Sequence, residues 1–380
     1  MTTDDGPSGR AGSAPAPALD AQFLRDTAEA GVGAFLASRA ATTHLVLPDA
    51  LVQALPVDPA GAFTHAPTLD DVPPGARVVI VGSADRETAL LAEARACWPG
   101  RRVLGLHHHV VPMRVVDRQP LKDVPDTFRL ADSHPYAIAC PARSGSTLLC
   151  ALLQAAGLGQ PREHLRPPLA RVLRTPGVDA AEVWRQVAGR GRANGVFGTK
   201  LVAQFLDQAA APGQSPTDVI APLAAAGTRV VALRRPALDT TVSRYLVIHT
   251  GKYHARGAAL GEADRQRFEA VPYDVEALAT LLRDSLDENA RLAAAVASLP
   301  AERVMAVDYA ALDATPVRTL RAVAAFIGVA PALDDVTTDL LPTKLSAQVR
   351  NHGVIRQRLE ADLRERDPAL LARALSPART

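Results

Sequence analysis

Apolar positions along the chain fall into blocks whose spacing switches between helical and strand-like. Phe23, Leu24, Ala28, Val32, Phe35 and Leu36 recur at the three-to-four-residue interval of one helical face, and Leu45-Val46-Leu47 then reads as a strand stopped by Pro48. Arg77-Val78-Val79-Ile80-Val81-Gly82 predicts a buried strand, Asp85 the cap of a helix running to Cys97, and Val103-Leu104-Gly105-Leu106 a further strand. That unit lacks the second and third glycines of a dinucleotide fingerprint. His107, His108 and His109 follow; successive strand residues alternate faces, so at most two could meet one metal ion, and the trio reads as an exposed strand end.

The second half repeats the alternation. Tyr136-Ala137-Ile138-Ala139-Cys140 is a short apolar run, residues 141–147 are polar and contain Gly145, and residues 148–153 are helical. Val196-Phe197-Gly198-Thr199 and residues 229–233 read as strands, and residues 274–299 as a long helix with Val275, Leu278, Leu282 and Leu286 on one face. Residues 304–309 form another strand, and Thr315 caps a helix from Pro316 to Gly328. Residues 1–20, rich in Ser, Gly, Ala, Pro and Asp, predict a disordered tail. With a polar connection over 117–135, the expected organisation is an α/β region over 21–130 and a second domain over 131–380.

Composition narrows the function classes. Lys+Arg 42 against Asp+Glu 40 argues against a dedicated nucleic-acid binder and points to small-molecule partners. Cys97, Cys140 and Cys150 are too few for a disulfide framework or a zinc cage, no stretch predicts a membrane span, and nothing marks the chain for export; a reducing cytoplasm is expected.

The strongest chemical signal is the order strand, glycine-containing loop, helix around Pro141-Ala142-Arg143-Ser144-Gly145-Ser146-Thr147. The start of a helix offers free N–H groups and the positive end of its dipole, Ser144, Ser146 and Thr147 add hydroxyl donors, and Gly145 lets a phosphate or sulfate approach the backbone. The triphosphate version of this device carries a lysine after the glycine; here that position is Ser146 and the cation, Arg143, precedes the glycine. No metal is called for.

Arg143-Ser144-Gly145-Ser146-Thr147-Leu148-Leu149 resembles the 5′-phosphosulfate loop of bacterial sulfotransferases that use 3′-phosphoadenosine-5′-phosphosulfate (PAPS), most closely the trehalose 2-sulfotransferase family. Pro161-Arg162-Glu163, residues 195–201 and residues 230–236 running into Val242-Ser243 and Thr250-Gly251 match the same family in the same order. The resemblance implies the P-loop-type sulfotransferase fold, a central parallel sheet flanked by helices, and metal-free transfer of a sulfuryl group to an alcohol. It implies that Arg235 and Ser243, eight positions apart, grip the 3′-phosphate, with Arg234 the alternative when Pro236 sets the alignment. Glu163 becomes the general base, with His164 the alternative, and Lys200 joins Arg143 in stabilising developing charge. His164, His249 and His254 fall where the family faces its acceptor, a small carbohydrate, a glycolipid or a similar hydroxyl compound; a homodimer is implied by analogy. His164 and Leu165 replace the family's aromatic pair, and Arg166-Pro167-Pro168 follows, so the acceptor wall differs. Lys344, Gln348, Arg350, Asn351, His352, Arg356 and Arg358 form a late basic cluster that reads either as a lid or as a solvated helix face. A P-loop-like small-molecule kinase and a non-catalytic PAP-binding protein stay open beside the transferase.

Overall fold

Aliphatic runs without polar alternation need cover on both faces, and the chain meets that need with two all-parallel sheets. The computed structural model describes residues 43–46, 64–66, 68–73, 76, 78–82, 86–116, 124–167, 169–175, 177–210, 213–252, 261–333 and 349–376. The expected tail over 1–20, the helix over 23–36, the Asp85 cap, His254, Lys344 and Gln348 lie outside these residues. Two compact units divide the chain, Met1–Leu106 and His107–Thr380.

The first unit contains β1 (Thr43–Val46), β2 (Thr64–Ala66), β3 (Val78–Val81), α1 (Glu87–Cys97) and β4 (Arg102–Gly105), with strand order β2-β1-β3-β4. Val46, Val79, Val81, Leu91, Ala94 and Val103 form its core. The Glu87 side chain is buried against β4, and a Cβ at Gly105 would collide with its carboxylate.

The second unit begins upstream of the expected boundary near residue 130. It opens at His107, within a π-helical turn over Leu106–Val110 that is continued by α2 (Val111–Val116). Val116 and Val124 are buried beside α5 (Ala180–Gly191), where Gly191 and Gly189 leave room for them. The histidines are therefore not an exposed strand end: His107, His108 and His109 are 1%, 1% and 5% exposed. His108 Nε2 accepts the Asp179 N–H at 2.9 Å, and His109 Nε2 lies 3.5 Å from Glu182 Oε1. The helical turn directs these rings to α5, more than seventy residues away in sequence.

The second sheet holds β5 (Tyr136–Cys140), β6 (Gly198–Val202), β7 (Arg229–Arg234) and β8 (Val304–Asp308) in the order β6-β5-β7-β8. Its alternating side chains sort by face. Tyr136, Ile138, Cys140, Val231, Leu233 and Val307 pack with α3 (Ser146–Ala155) and α12 (Pro316–Ile327). Ala139 and Ala232 line a cavity with Leu292, Ala293 and Val296 of α10 (Val275–Ala297), whose start is capped by Asp274 through the Glu276 and Ala277 N–H groups. A third cluster joins α8 (Ala237–Thr250) and α10 to α9 (Glu262–Glu269), α13 (Arg350–Arg366) and α14 (Pro368–Leu375) through Leu238, Tyr245, Phe268, Leu282, Leu359 and Leu371. The remaining helices are α4 (Leu169–Arg174), α6 (Ala203–Ala209), α7 (Pro216–Ala225) and α11 (Tyr309–Ala314).

Candidate active site

The centre of the sheet delivers the polar loop. All five residues of β5 are buried, and the chain turns from Cys140 through Pro141 to α3 in five residues. Arg143 and Gly145 both take left-handed backbone, with φ of 64° and 90°. Such alternation around one residue curls a loop into the concave turn that gathers N–H groups on an anion. Glycine is required at 145 twice over, for its φ and because a Cβ would collide with the Tyr309 ring. The Ser144 hydroxyl is wholly buried beside the Cys140 thiol and makes no hydrogen bond to nitrogen or oxygen, a state that an anionic guest would relieve.

Three expected site residues converge on this loop. Arg143 Nε donates to Ser243 Oγ at 3.3 Å, and Arg235 NH1 donates to the Arg143 carbonyl at 2.9 Å. Ser243 reaches the loop from the second turn of α8, and Arg235 from the residue after β7, at the carboxyl end where parallel sheets place their ligands. Arg234 behaves differently. It ends β7 opposite Asp308 and lines the cavity facing α10, its Nε buried without a partner near Asn289, whose Oδ1 is likewise unpartnered.

A second polar group stands beside β6. Arg162 makes a parallel bridge with Thr199, the Lys200 N–H donates to the Arg162 carbonyl at 2.8 Å, and this pairing brings Glu163 alongside Lys200. Glu163 Oε1 pairs with Lys200 Nζ, while Oε2 takes Arg166 through both Nε and NH2. Burial alone would raise the Glu163 carboxyl, but Lys200 and then Arg166 outweigh it and hold the group below the usual carboxylate range. Burial works against the Lys200 charge in turn, and Cys150, Cys140 and Glu163 hold it above its ordinary value. Burial pushes the Cys150 thiol up to about 12 and raises Cys140 as well, so at neutral pH the carboxylate is the charge that counts. Lys200 pairs in register with Ile138, two residues before Cys140 at the root of the loop, so this group stands on the strand next to β5.

His164 is only 2% exposed, with Nδ1 3.0 Å from Thr199 Oγ1 and its ring stacked on Phe197 at 5.6 Å. Burial, then Arg162, lowers it to about 3, so the imidazole is neutral at physiological pH and enclosed on the β6 side. His249 folds back on its own helix, Nδ1 lying 3.0 Å from the Tyr245 carbonyl, and Gly251 ends α8 in left-handed geometry. Thr147 stands in the first turn of α3 beside Ser146. Gly195 follows Asn194 in a left-handed turn before β6, whereas Gly198 makes room for the Tyr136 ring.

The late basic cluster separates. Arg358 lies over the Tyr273 ring at 4.1 Å, Asn351 Nδ2 donates to the Phe268 and Val271 carbonyls, and Arg356 pairs with Asp239 at 2.9 Å. His352 is buried with Nε2 3.4 Å from the Asp239 carbonyl, and burial followed by Arg235 lowers it. This end of α13 thus borders the start of α8. Tyr309 is the residue that sequence reasoning missed: its ring fills the space at Gly145 and carries the Arg235 guanidinium at 4.6 Å. Its place immediately after β8, at the start of α11, was the available signal.

Among the described residues no cluster of His, Cys, Asp and Glu could hold a metal ion, and no helix is long and apolar enough to cross a membrane. A family model described as Stf0 sulphotransferase matches residues 135–360. Among solved structures, the chain is similar to a sulfotransferase from Alicyclobacillus acidocaldarius, at 15% identity over 62% of this chain and 94% of that one, TM-score 0.30. It is also similar to the sulfotransferase domain of the Synechococcus PCC 7002 olefin synthase, at 18% identity over 68% of this chain and 94% of that one, TM-score 0.28. No curated protein matches significantly.

Proposed function

Because the chain belongs to the Stf0 sulfotransferase family, its reaction is sulfuryl transfer, and we propose that PAPS is the donor and a hydroxyl of a small carbohydrate or similar alcohol the acceptor. The observation that carries this reading is the convergence of Arg143, Arg235 and Ser243 on a left-handed loop whose Ser144 hydroxyl is buried with no nitrogen or oxygen partner. These residues suit a phosphate-rich donor: two guanidiniums supply charge and planar pairs of donors, hydroxyls complete the shell, and α3 begins at the loop. In that role Arg143, Ser144, Ser146 and Thr147 hold the phosphosulfate, and Arg235 with Ser243 the 3′-phosphate, Tyr309 keeping Arg235 in place. Arg234 lines the α10-side cavity, as Arg235 also does, and is the weaker candidate because it is Arg235 that donates to the Arg143 carbonyl.

PAPS supplies the sulfuryl group, which passes to the acceptor oxygen as the bond from sulfur to the departing phosphate breaks. The chain's contribution is positioning and charge. Glu163 receives the hydroxyl proton at a carboxylate oxygen, and Lys200, paired with it and buried beside β5, balances negative charge on the donor side. His164, neutral and enclosed, shapes the β6 side and leaves the proton to Glu163.

Glu163→Gln tests the assignment. PAP binding by calorimetry should persist while turnover of labelled PAPS with a panel of sugars, lipids and phenols drops by roughly a hundredfold or more. Undiminished turnover in the variant would remove Glu163 from the reaction.

A further inference from the structure

The Glu163 carboxylate is doubly occupied, and its two cations are not equivalent. Lys200 holds Oε1 with a side chain only 8% exposed, and Arg166 holds Oε2 with one that is 62% exposed. A carboxylate in this state has little capacity left to take a proton: its oxygens are engaged by N–H donors, and both positive charges favour its ionised form. If Glu163 is to act as the base proposed above, one cation has to withdraw. Lys200 cannot do so without leaving a buried ammonium unpaired, whereas the Arg166 guanidinium can turn into water at small cost.

What draws Arg166 off is a matter of charge. Glu163 is faced by Lys200 and Arg166, with Cys140 and Cys150 behind Lys200, and both thiols are neutral at physiological pH. Arg162, on the other side, donates to Gln160. The neighbourhood carries a surplus of positive charge outside the phosphate loop. Arg166 also lies over an aromatic ring, its guanidinium carbon 5.5 Å from the centre of Phe205, which favours a position close to the site when it lets go of the carboxylate.

We propose that Arg166 is an acceptor-recognition residue that releases Glu163 when an acceptor bearing an anionic group, a carboxylate or a phosphate, beside its reacting hydroxyl takes over the guanidinium. The exchange replaces one charge-assisted pair with another, so an anionic acceptor unmasks the base as it binds. A neutral acceptor offers Arg166 only water. The inference rests on the reading of Glu163 as base, and it names the acceptor class that this reading leaves open.

The test does not depend on finding the natural acceptor. In full-length protein carrying 13C at glutamate Cδ, with the Glu163 signal assigned through Glu163→Gln, the carboxyl midpoint is followed by pH titration. Methyl glucuronide or glucose 6-phosphate should raise the midpoint in the natural protein, and neutral methyl glucoside should not; the two anionic probes distinguish carboxylate from phosphate recognition. Arg166→Gln should raise the midpoint without any ligand and abolish the response to both anions. Arg166→Lys, which keeps the charge but not the paired donors, should respond only partly and guards against a folding defect. The proposal is overturned if the midpoint stays in place in Arg166→Gln, or if methyl glucoside moves it as far as methyl glucuronide. Failure of the base assignment would show itself separately, as turnover surviving Glu163→Gln.

Discussion

The two sheets share one plan: in each, the first strand lies between the second and third, the fourth flanks the third, and all run parallel. They differ at their carboxyl ends. In the second unit β5 opens into the Arg143–Gly145 loop, where Arg235, Ser243 and Tyr309 gather. Among the described residues of the first unit, β3 runs into Gly82, whose N–H closes on the Val46 carbonyl at 3.1 Å, and the buried acidic side chain beside β4 is Glu87. The two units share this topology, and among the described residues the loop with its guanidiniums belongs to the second.

Glycine gives the sharpest contrast. Gly145→Val must adopt a φ near 90° and meets the Tyr309 ring, so PAP binding should fall by about a hundredfold or more, read by calorimetry. Gly100→Ala in the first unit meets nothing within 4 Å, and its stability should stay within about 0.5 kcal/mol of the natural protein by thermal unfolding. Equal effects at the two positions would erase the distinction.

Tyr309→Leu, which removes the surface under Arg235, should weaken PAP roughly tenfold, matching the worth of a partly desolvated cation–π contact, while Tyr309→Phe keeps the ring and should restore most of the affinity. If Phe fares as badly as Leu, the hydroxyl rather than the ring is what matters.

The pH response should also be carried by the second unit. His164 is held at about 3, below its unfolded value near 6.5, so the unfolded chain binds a proton that the folded one refuses. The contribution is complete above about pH 6.5 and is lost as pH falls toward 3, with a slope approaching about 1.4 kcal/mol per pH unit for this one group. His352, also lowered, acts in the same direction, and Glu163 adds a loss that begins as pH falls below its ordinary value near 4.5, because its carboxyl is depressed in the folded protein. In urea titrations, His164→Asn should flatten the slope between pH 6.5 and 5. Over the same range kcat/KM should show no inflection from His164 or from Glu163, which stays ionised.

The smallest effect concerns the cysteines. Cys97 on α1 is exposed and should alkylate readily with iodoacetamide at pH 7.5, whereas Cys140 and Cys150, raised by burial, should remain unmodified in the folded protein by mass spectrometry.

The loop was legible in sequence because strand, glycine and helix are adjacent there and the chemistry sits in seven consecutive residues. The choice between Arg234 and Arg235 was not legible, since it depends on where β7 stops: Arg234 ends the strand opposite Asp308, and Arg235, one residue on, donates to the Arg143 carbonyl. Arg166 lies three residues from Glu163 and is visible at close range, but the Lys200 pairing required the Arg162–Thr199 bridge across nearly forty residues. The three histidines read as a strand end because their partners, Asp179 and Glu182, come from a helix that no local pattern connects to them.

Calorimetric titration of PAP into the full-length protein without Mg²⁺, repeated with ATP plus Mg²⁺ and with Arg143→Ala, addresses the central claim most directly. The account predicts that PAP binds without metal, that ATP binds far more weakly, and that Arg143→Ala weakens PAP by about thirtyfold or more, as expected for losing a charge-assisted guanidinium contact. Absence of PAP binding, or an affinity indifferent to Arg143, would contradict it.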